Sequence, residues 1–254
     1  MGRAKDIVLK PISVKAANDL VRRVHYSGKV VNNSQLHIGV YYHGKLEGAL
    51  QFGPSLDKRK IQGLVSGTQW HEFIELNRMA LTDTLPRNSE SRALAIAMRL
   101  IKKHAPQIKW VVTFADGTQC GDGTIYRAAG FVLTGITINK NLAIMQNGTA
   151  IHKMTYESNP IGTGYTKITD GKNDWGRFVE AMGWKRAHGF QLRYIYFIDP
   201  SYRERLTVPE LPYSAIVEAG ARMYKGERLS VPPVNGDDLA TSQAGRFNPD
   251  PEAS

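Results

Sequence analysis

The chain of 254 residues is 42% hydrophobic and 22% charged, a balance that fits a folded globular protein and excludes a disordered one. Its 33 Lys and Arg against 23 Asp and Glu give a net charge of +10, which favours polyanionic partners, nucleic acid first. No run approaches the roughly 20 apolar residues that cross a bilayer, and Cys120 as the single cysteine rules out an internal disulfide or a thiolate metal cluster within one chain, so a reducing cytoplasm is expected.

Taken in chain order, Ile7–Ile12 reads as a first strand, and Ser13 is placed to cap a helix over 14–24 whose Ala17, Leu20, Val21 and Val24 share one face. Residues 36–42 and 46–52 flank His43-Gly44-Lys45 and predict an antiparallel hairpin. Phe73–Leu81 alternates apolar and polar side chains, as a half-buried strand does. Turn residues 86–90 then feed a helix over 91–104 with an apolar stripe of Leu94, Ala97, Met98 and Ile101. Lys109–Ala115 is the strongest buried-strand run and delivers Asp116-Gly117 to its carboxyl end, where α/β proteins place ligands. A short helix from Thr124 stops at Gly130, and Phe131–Leu133 returns as a strand. Further on, the pattern predicts a loop at 159–164, a helix over 175–184 and an aromatic strand at 194–198. The domain boundaries expected are a core at 1–155, an extension packed on it at 156–230 and a flexible acidic tail at 231–254.

The order β–α–β–β–β–loop–α–β–α–β resembles that of the GCN5-related N-acyltransferases, with local likeness at Glu75–Leu81 and at Thr124–Phe131. That resemblance implies an α/β (α+β) fold with a mostly antiparallel twisted sheet whose fourth and fifth strands splay apart to hold an acyl donor. The donor's diphosphate would meet free backbone N–H groups at the loop–helix junction, which points to Asn88, Ser89 and Ser91. The stretch Arg87–Arg92 lacks the glycines usual there, so acetyl-CoA and another activated two-carbon donor both stay open.

A sharper resemblance is to the bacteriophage Mom family. It is carried by His25-Tyr26, Leu76–Met79, Phe114–Gln119, Gly123–Ala129, Tyr194–Phe197, Leu206–Pro209 and Leu211–Ser214. It implies carbamoylmethylation of the exocyclic amine of adenine in DNA, protection of phage DNA from host restriction enzymes, and residence in the host cytoplasm. The implied site positions are His25, Tyr26, Arg78, Ser91, Asp116 and Tyr126.

Adenine's amine is a weak nucleophile, so Asp116 is expected to accept or orient its proton. The alternative for an Asp before Gly is a turn or helix cap. Tyr126 stands where acyltransferases protonate a leaving thiolate, unless it is a packed aromatic. Arg78 is expected to hold a phosphate or carboxylate, against an ordinary ion pair with Glu75 or Glu90. His25, Tyr26 and Asp116 form a candidate metal set, with iron as the metal, alongside a metal-free polarising role. The run Trp184–Tyr194, with Arg203 and Arg205, is the candidate DNA surface, or else a packed strand with solvated basic flanks. Competing readings are a generic N-acyltransferase for a small amine or protein and a non-catalytic DNA-binding protein. The oligomeric state, homodimer included, is left open.

Overall fold

The computed structural model describes residues 3–117, 121–221, 223–224 and 227–228. Thr118, Gln119 and Cys120, and the acidic tail from 231, lie outside the described residues. Strand β1 (Val8–Pro11) leads into α1 (Val14–Val24), whose first turn is capped as expected: Ser13 Oγ accepts from Ala16 N–H at 3.2 Å. Next come β2 (Leu36–Tyr42), β3 (Lys45–Gly53), a short α2 (Lys58–Gln62) and β4 (Phe73–Leu81). The long α3 (Ser89–His104) precedes β5 (Trp110–Asp116), α4 (Thr124–Ala128) and β6 (Val132–Ile144). Strand β7 (Ala150–His152), three short helices α5 (Met154–Glu157), α6 (Tyr165–Ile168) and α7 (Trp175–Ala181), then β8 (Lys185–Phe197) and α8 (Ser214–Glu218) follow, before a separate antiparallel pair of two-residue strands, β9 (Met223–Tyr224) and β10 (Glu227–Arg228).

The main sheet runs β1-β2-β3-β4-β5-β8-β6-β7, antiparallel at every step except β4 with β5. This is the N-acyltransferase-like α/β arrangement that the element order implies. One face packs α3, through Leu94, Ala97, Met98 and Ile101, and α4, through Tyr126, against Leu50, Phe52, Leu76, Val111 and Leu133. On the opposite face, Ala17 and Leu20 of α1 meet Ala49, and Ile61, Leu64 and Val65 around α2 meet Phe73, Trp110 and Val112. Every strand of the centre is therefore covered twice, which explains the nearly continuous apolar run of β5.

One expectation changes and one alternative is decided. The boundary at 155 does not separate a core from an attachment, because β8 lies between β5 and β6 and pairs along most of both. The residues that intervene, 145–184, are the inserted part, and they build their own cluster from Tyr165, Trp175, Phe178 and Val179. The run 184–194 takes the alternative form, a packed strand with a solvated basic flank at Lys185 and Arg186. Phe190, Leu192 and Tyr194 are buried, and Arg193 turns inward to donate to Thr134 O at 2.6 Å and Thr134 Oγ1 at 3.1 Å.

Candidate active site

Strands β4 and β5 pair only through Phe73–Glu75 and Trp110–Val112. Beyond that point β4 stays bonded to β3 up to Leu81 and β5 to β8 up to Asp116, so their facing edges diverge. Thr113 Oγ1 donates to Leu76 O at 3.3 Å across the apex of the gap. The backbone edges above it are left without a ladder partner, as a bound chain with amide groups would need.

A bulge decides which side chains reach this gap. In β4, Leu76 pairs with Phe52 and Arg78 with Gln51, so Asn77 is the extra residue. Strict alternation would put residues 75 and 77 on one face, but the bulge puts Glu75 and Arg78 there instead. Gly53 allows the neighbouring loop to close in, since a Cβ there would collide with Asn33 O and stand 2.7 Å from Asn77 Oδ1. Ser34 Oγ donates to Asn77 Oδ1 at 3.0 Å and fixes the bulged amide.

His25 ends α1 directly over this face. Its Nδ1 accepts from Ser27 N–H at 3.2 Å and lies 2.9 Å from Ser27 Oγ, which leaves the proton of the neutral ring on Nε2. Burial, helped by the Arg78 guanidinium, pushes its pKa down to about 3. The ring is therefore a neutral hydrogen-bond donor at physiological pH and a poor base. Tyr26 packs its ring on His25 with centroids 4.3 Å apart, and is 42% exposed. Arg78 is spent partly on backbone, with Nε to Lys29 O at 3.0 Å and Nη1 to Asn77 O at 2.7 Å. It ties the loop after α1 to β4, and it is neither of the carboxylate pairs expected from the sequence that these bonds describe. Glu75 is pushed up by burial, opposed by the Ser55 and Asn77 side chains and the Arg78 charge.

Asp116 follows Phe114 on the same face as Val112 and Trp110, at the far end of β5. It meets a residue that sequence reading missed. The His152 imidazole is lowered by burial, while the Asp116 carboxylate, together with Glu157, acts in the other direction. Met154 N–H donates to His152 Nδ1 at 3.1 Å, so this second imidazole also presents Nε2. Lys29 Nζ reaches Thr155 Oγ1 at 2.6 Å and joins the insert to the loop after α1. No local signal marks His152, which comes near Asp116 only because β6 is long and carries β7 round with it.

The sequence profile of the Mom protein family matches residues 6–215. A relative named methylcarbamoylase mom, from Escherichia phage Mu, is 34% identical over 206 residues, 80% of each chain. The chain belongs to the Mom family. Among solved structures, the ribosomal-protein-S18-alanine N-acetyltransferase from Escherichia coli is 11% identical, with 76% of this chain and 94% of that one covered and a TM-score of 0.42. A GNAT family acetyltransferase from Elizabethkingia anophelis with acetyl-CoA bound is 14% identical, with 74% and 97% covered and a TM-score of 0.38. Scores this low add nothing to the topology already described.

In this Mom-family chain the expected residues fall into two groups on opposite faces of the splayed strands. His25, Tyr26 and Arg78 are in contact on the α1 side, Asp116 lies on the same face of the sheet beside His152, and Tyr126 and the start of α3 lie on the other. Tyr126 is 9% exposed, and its ring packs against Phe131 and Tyr194 with centroids at 5.7 and 5.5 Å. Packing thus accounts for the ring, and an acid role would rest on the hydroxyl alone. Ser89 needs correction as a phosphate ligand: it is fully buried, and its hydroxyl and N–H both donate to Pro86 O, at 2.6 and 3.1 Å. Asn88 takes a left-handed conformation at φ 69° without capping α3, and Ser91 Oγ donates to Asn88 O at 3.3 Å. Among the described residues no group of three or more His, Cys, Asp or Glu could hold a metal ion. His25 faces Tyr26 and Arg78 while Asp116 faces His152, so iron at His25, Tyr26 and Asp116 gains no support. No helix among them is long and apolar enough to cross a membrane.

Proposed function

We propose that the chain is a phage DNA-modifying transferase that converts adenine in DNA to its N6-carbamoylmethyl form and so shields phage DNA from host restriction enzymes, working in the host cytoplasm. The observation that carries this reading is the 34% identity to the phage Mu methylcarbamoylase across 80% of both chains, alongside a family match over residues 6–215 that takes in His25, Arg78, Asp116 and His152. Bulk on adenine's amine protrudes into the major groove, where restriction enzymes read bases.

An acyl-CoA type of donor fits the gap in one respect and strains it in another. The unpaired edges of β4 and β5 suit the amides of a pantetheine arm, whereas the turn at 87–91 offers Asn88 and Ser91 but not Ser89 to a diphosphate. Acyl transfer from acetyl-CoA itself would join its carbonyl carbon to N6, whereas the carbamoylmethyl product carries a methylene there and a terminal amide nitrogen. The donor this product requires is therefore an activated two-carbon amide whose methylene carbon bears the leaving group. The chain's own residues do the rest. Asp116, flanked by His152, orients the adenine amine and takes up its proton. His25 presents Nε2–H as a neutral donor that can orient an oxygen of the transferred unit without changing protonation state. Arg78 braces the loop that holds His25.

Mass spectrometry of nucleosides from cells expressing the protein tests this directly. Deoxyadenosine carrying an added carbamoylmethyl mass is expected, and Asp116→Asn is expected to abolish it while the protein stays folded. Unmodified deoxyadenosine from the wild type, or full modification by Asp116→Asn, would overturn the assignment or the role of Asp116 respectively.

A further inference from the structure

The connection between β3 and β4 is far longer than their pairing requires. Adjacent antiparallel strands close with about two to five residues, yet residues 54–72 leave the sheet, form α2 and return. The excursion begins against the site: Asn33 Nδ2 donates to Pro54 O at 2.6 Å, and buried Ser55 lies beside Glu75. The very next residue, Leu56, is 83% exposed. Lys58, Arg59 and Lys60 follow, and among the described residues no ion pair engages any of them. The two carboxylates of the excursion are otherwise occupied. Asp57 caps α2 through Lys60 N–H at 3.4 Å, and Glu72 accepts from Gln69 N–H at 2.7 Å and Tyr202 Oη–H at 2.8 Å. Lys58 Nζ lies 4.6 Å over the ring of Trp70, which is 48% exposed.

A solvated helix face would explain three cations alone. It does not explain a leucine and a tryptophan held in water next to them, on the same side of the sheet as His25 and Asp116. Cations that track phosphates, joined to an apolar and an aromatic group that accept a base or sugar, are what a DNA-binding wall combines. We propose that residues 54–71 form that wall: Lys58, Arg59 and Lys60 contact the backbone of duplex DNA, and Leu56 and Trp70 meet a sugar or base of the same stretch. This rests on the reading of the protein as a DNA-modifying enzyme, and it puts the DNA surface at α2 instead of at 184–194.

The test is binding of a fluorescent duplex to the full chain over a range of salt concentrations. Each lost phosphate contact lowers the slope of log K against log salt by about 0.9, so K58A/R59A/K60A should flatten it by about 2 to 3 and weaken binding at least about tenfold at low salt. R99A/K102A/K103A removes the same charge from the exposed side of α3 and should leave the slope close to that of the wild type. Equal slopes for the two triple variants, or an unchanged slope for the first, overturn the proposal. Should the triple variant misfold, Arg59→Glu and Lys60→Glu, each on an exposed side chain, carry the same comparison. Duplex should also quench tryptophan emission in the wild type but not in Trp70→Phe; retained quenching counts against contact at Trp70. Nucleoside mass spectrometry on the same wild-type protein keeps the two claims separate. Modified adenine with indifferent α2 variants sinks only the wall, and unmodified adenine with salt-sensitive loss at α2 sinks only the reaction.

Discussion

A protonated imidazole at position 25 would lose hydration and face the Arg78 guanidinium, and this is why His25 titrates near pH 3 in the folded chain. In the unfolded chain it titrates near its ordinary 6.5. Between those values the unfolded state binds the extra proton, so the contribution of neutral His25 to stability is complete above pH 6.5 and is lost as the pH falls toward 3. The slope from one such group is at most about 1.4 kcal/mol per pH unit. Thermal unfolding should therefore show the wild type losing more of its midpoint than His25→Gln between pH 7 and 5; parallel pH profiles for the two proteins would show that His25 is not held neutral by the fold. Tyr126 poses the opposite problem, because its ring is explained by packing with Phe131 and Tyr194. Tyr126→Phe keeps the ring. A drop in modification rate of about tenfold or more with an unchanged unfolding midpoint is expected if the hydroxyl serves as an acid, and equal rates would reduce Tyr126 to core.

At the level of elements, what was legible in the sequence follows from how each element is buried. Helix α1 buries one clear stripe, the hairpin of β2 and β3 is marked by apolar runs flanking a glycine turn, and the run 73–81 emerges with the same bounds as β4. The bulge at Asn77 was not legible, because it depends on register with β3 rather than on any local pattern. The two readings of 184–194 have a physical source. Its Lys185 and Arg186 are exposed where β8 begins, but the same strand ends among core residues, and Arg193 satisfies itself on Thr134. Composition averages over both ends. The turn before α4 shows a local signal with a tertiary cause: Gly123 has φ 78°, and a Cβ there would stand 2.5 Å from the Tyr194 ring, whose hydroxyl donates to Asp122 O. Gly123→Ala combines a left-handed strain with that collision, so a loss of about 2 kcal/mol or more is expected in denaturant unfolding. A change within about 0.5 kcal/mol would show that the Tyr194 ring moves aside freely.

For the molecule as a whole, the site is assembled from segments far apart in the chain. His25 follows the first helix, Arg78 lies on β4, Asp116 ends β5, and His152 closes β7. Arg78 faces His25 and Asp116 faces His152, and the second pairing depends on β8, supplied after the insert, as the strand that joins β5 to β6. Sequence reading saw the beginning and end of this arrangement but cut it at residue 155, since the insert's short helices carry little periodicity of their own. The cut has a testable cost. A fragment of residues 1–155 would expose one full edge of β5 and of β6 and leave Trp110, Val111 and Leu133 without Ile195, Tyr194 and Leu192 above them. Unpaired backbone and apolar surface on that scale exceed the marginal stability of a domain this size. The fragment should therefore show no cooperative thermal transition and poor dispersion in its amide NMR spectrum, whereas residues 1–221 should unfold in a single transition. A cooperative transition in the shorter fragment would mean that β5 and β6 can pair without β8, and that the insert and β8 are an addition to an already complete fold.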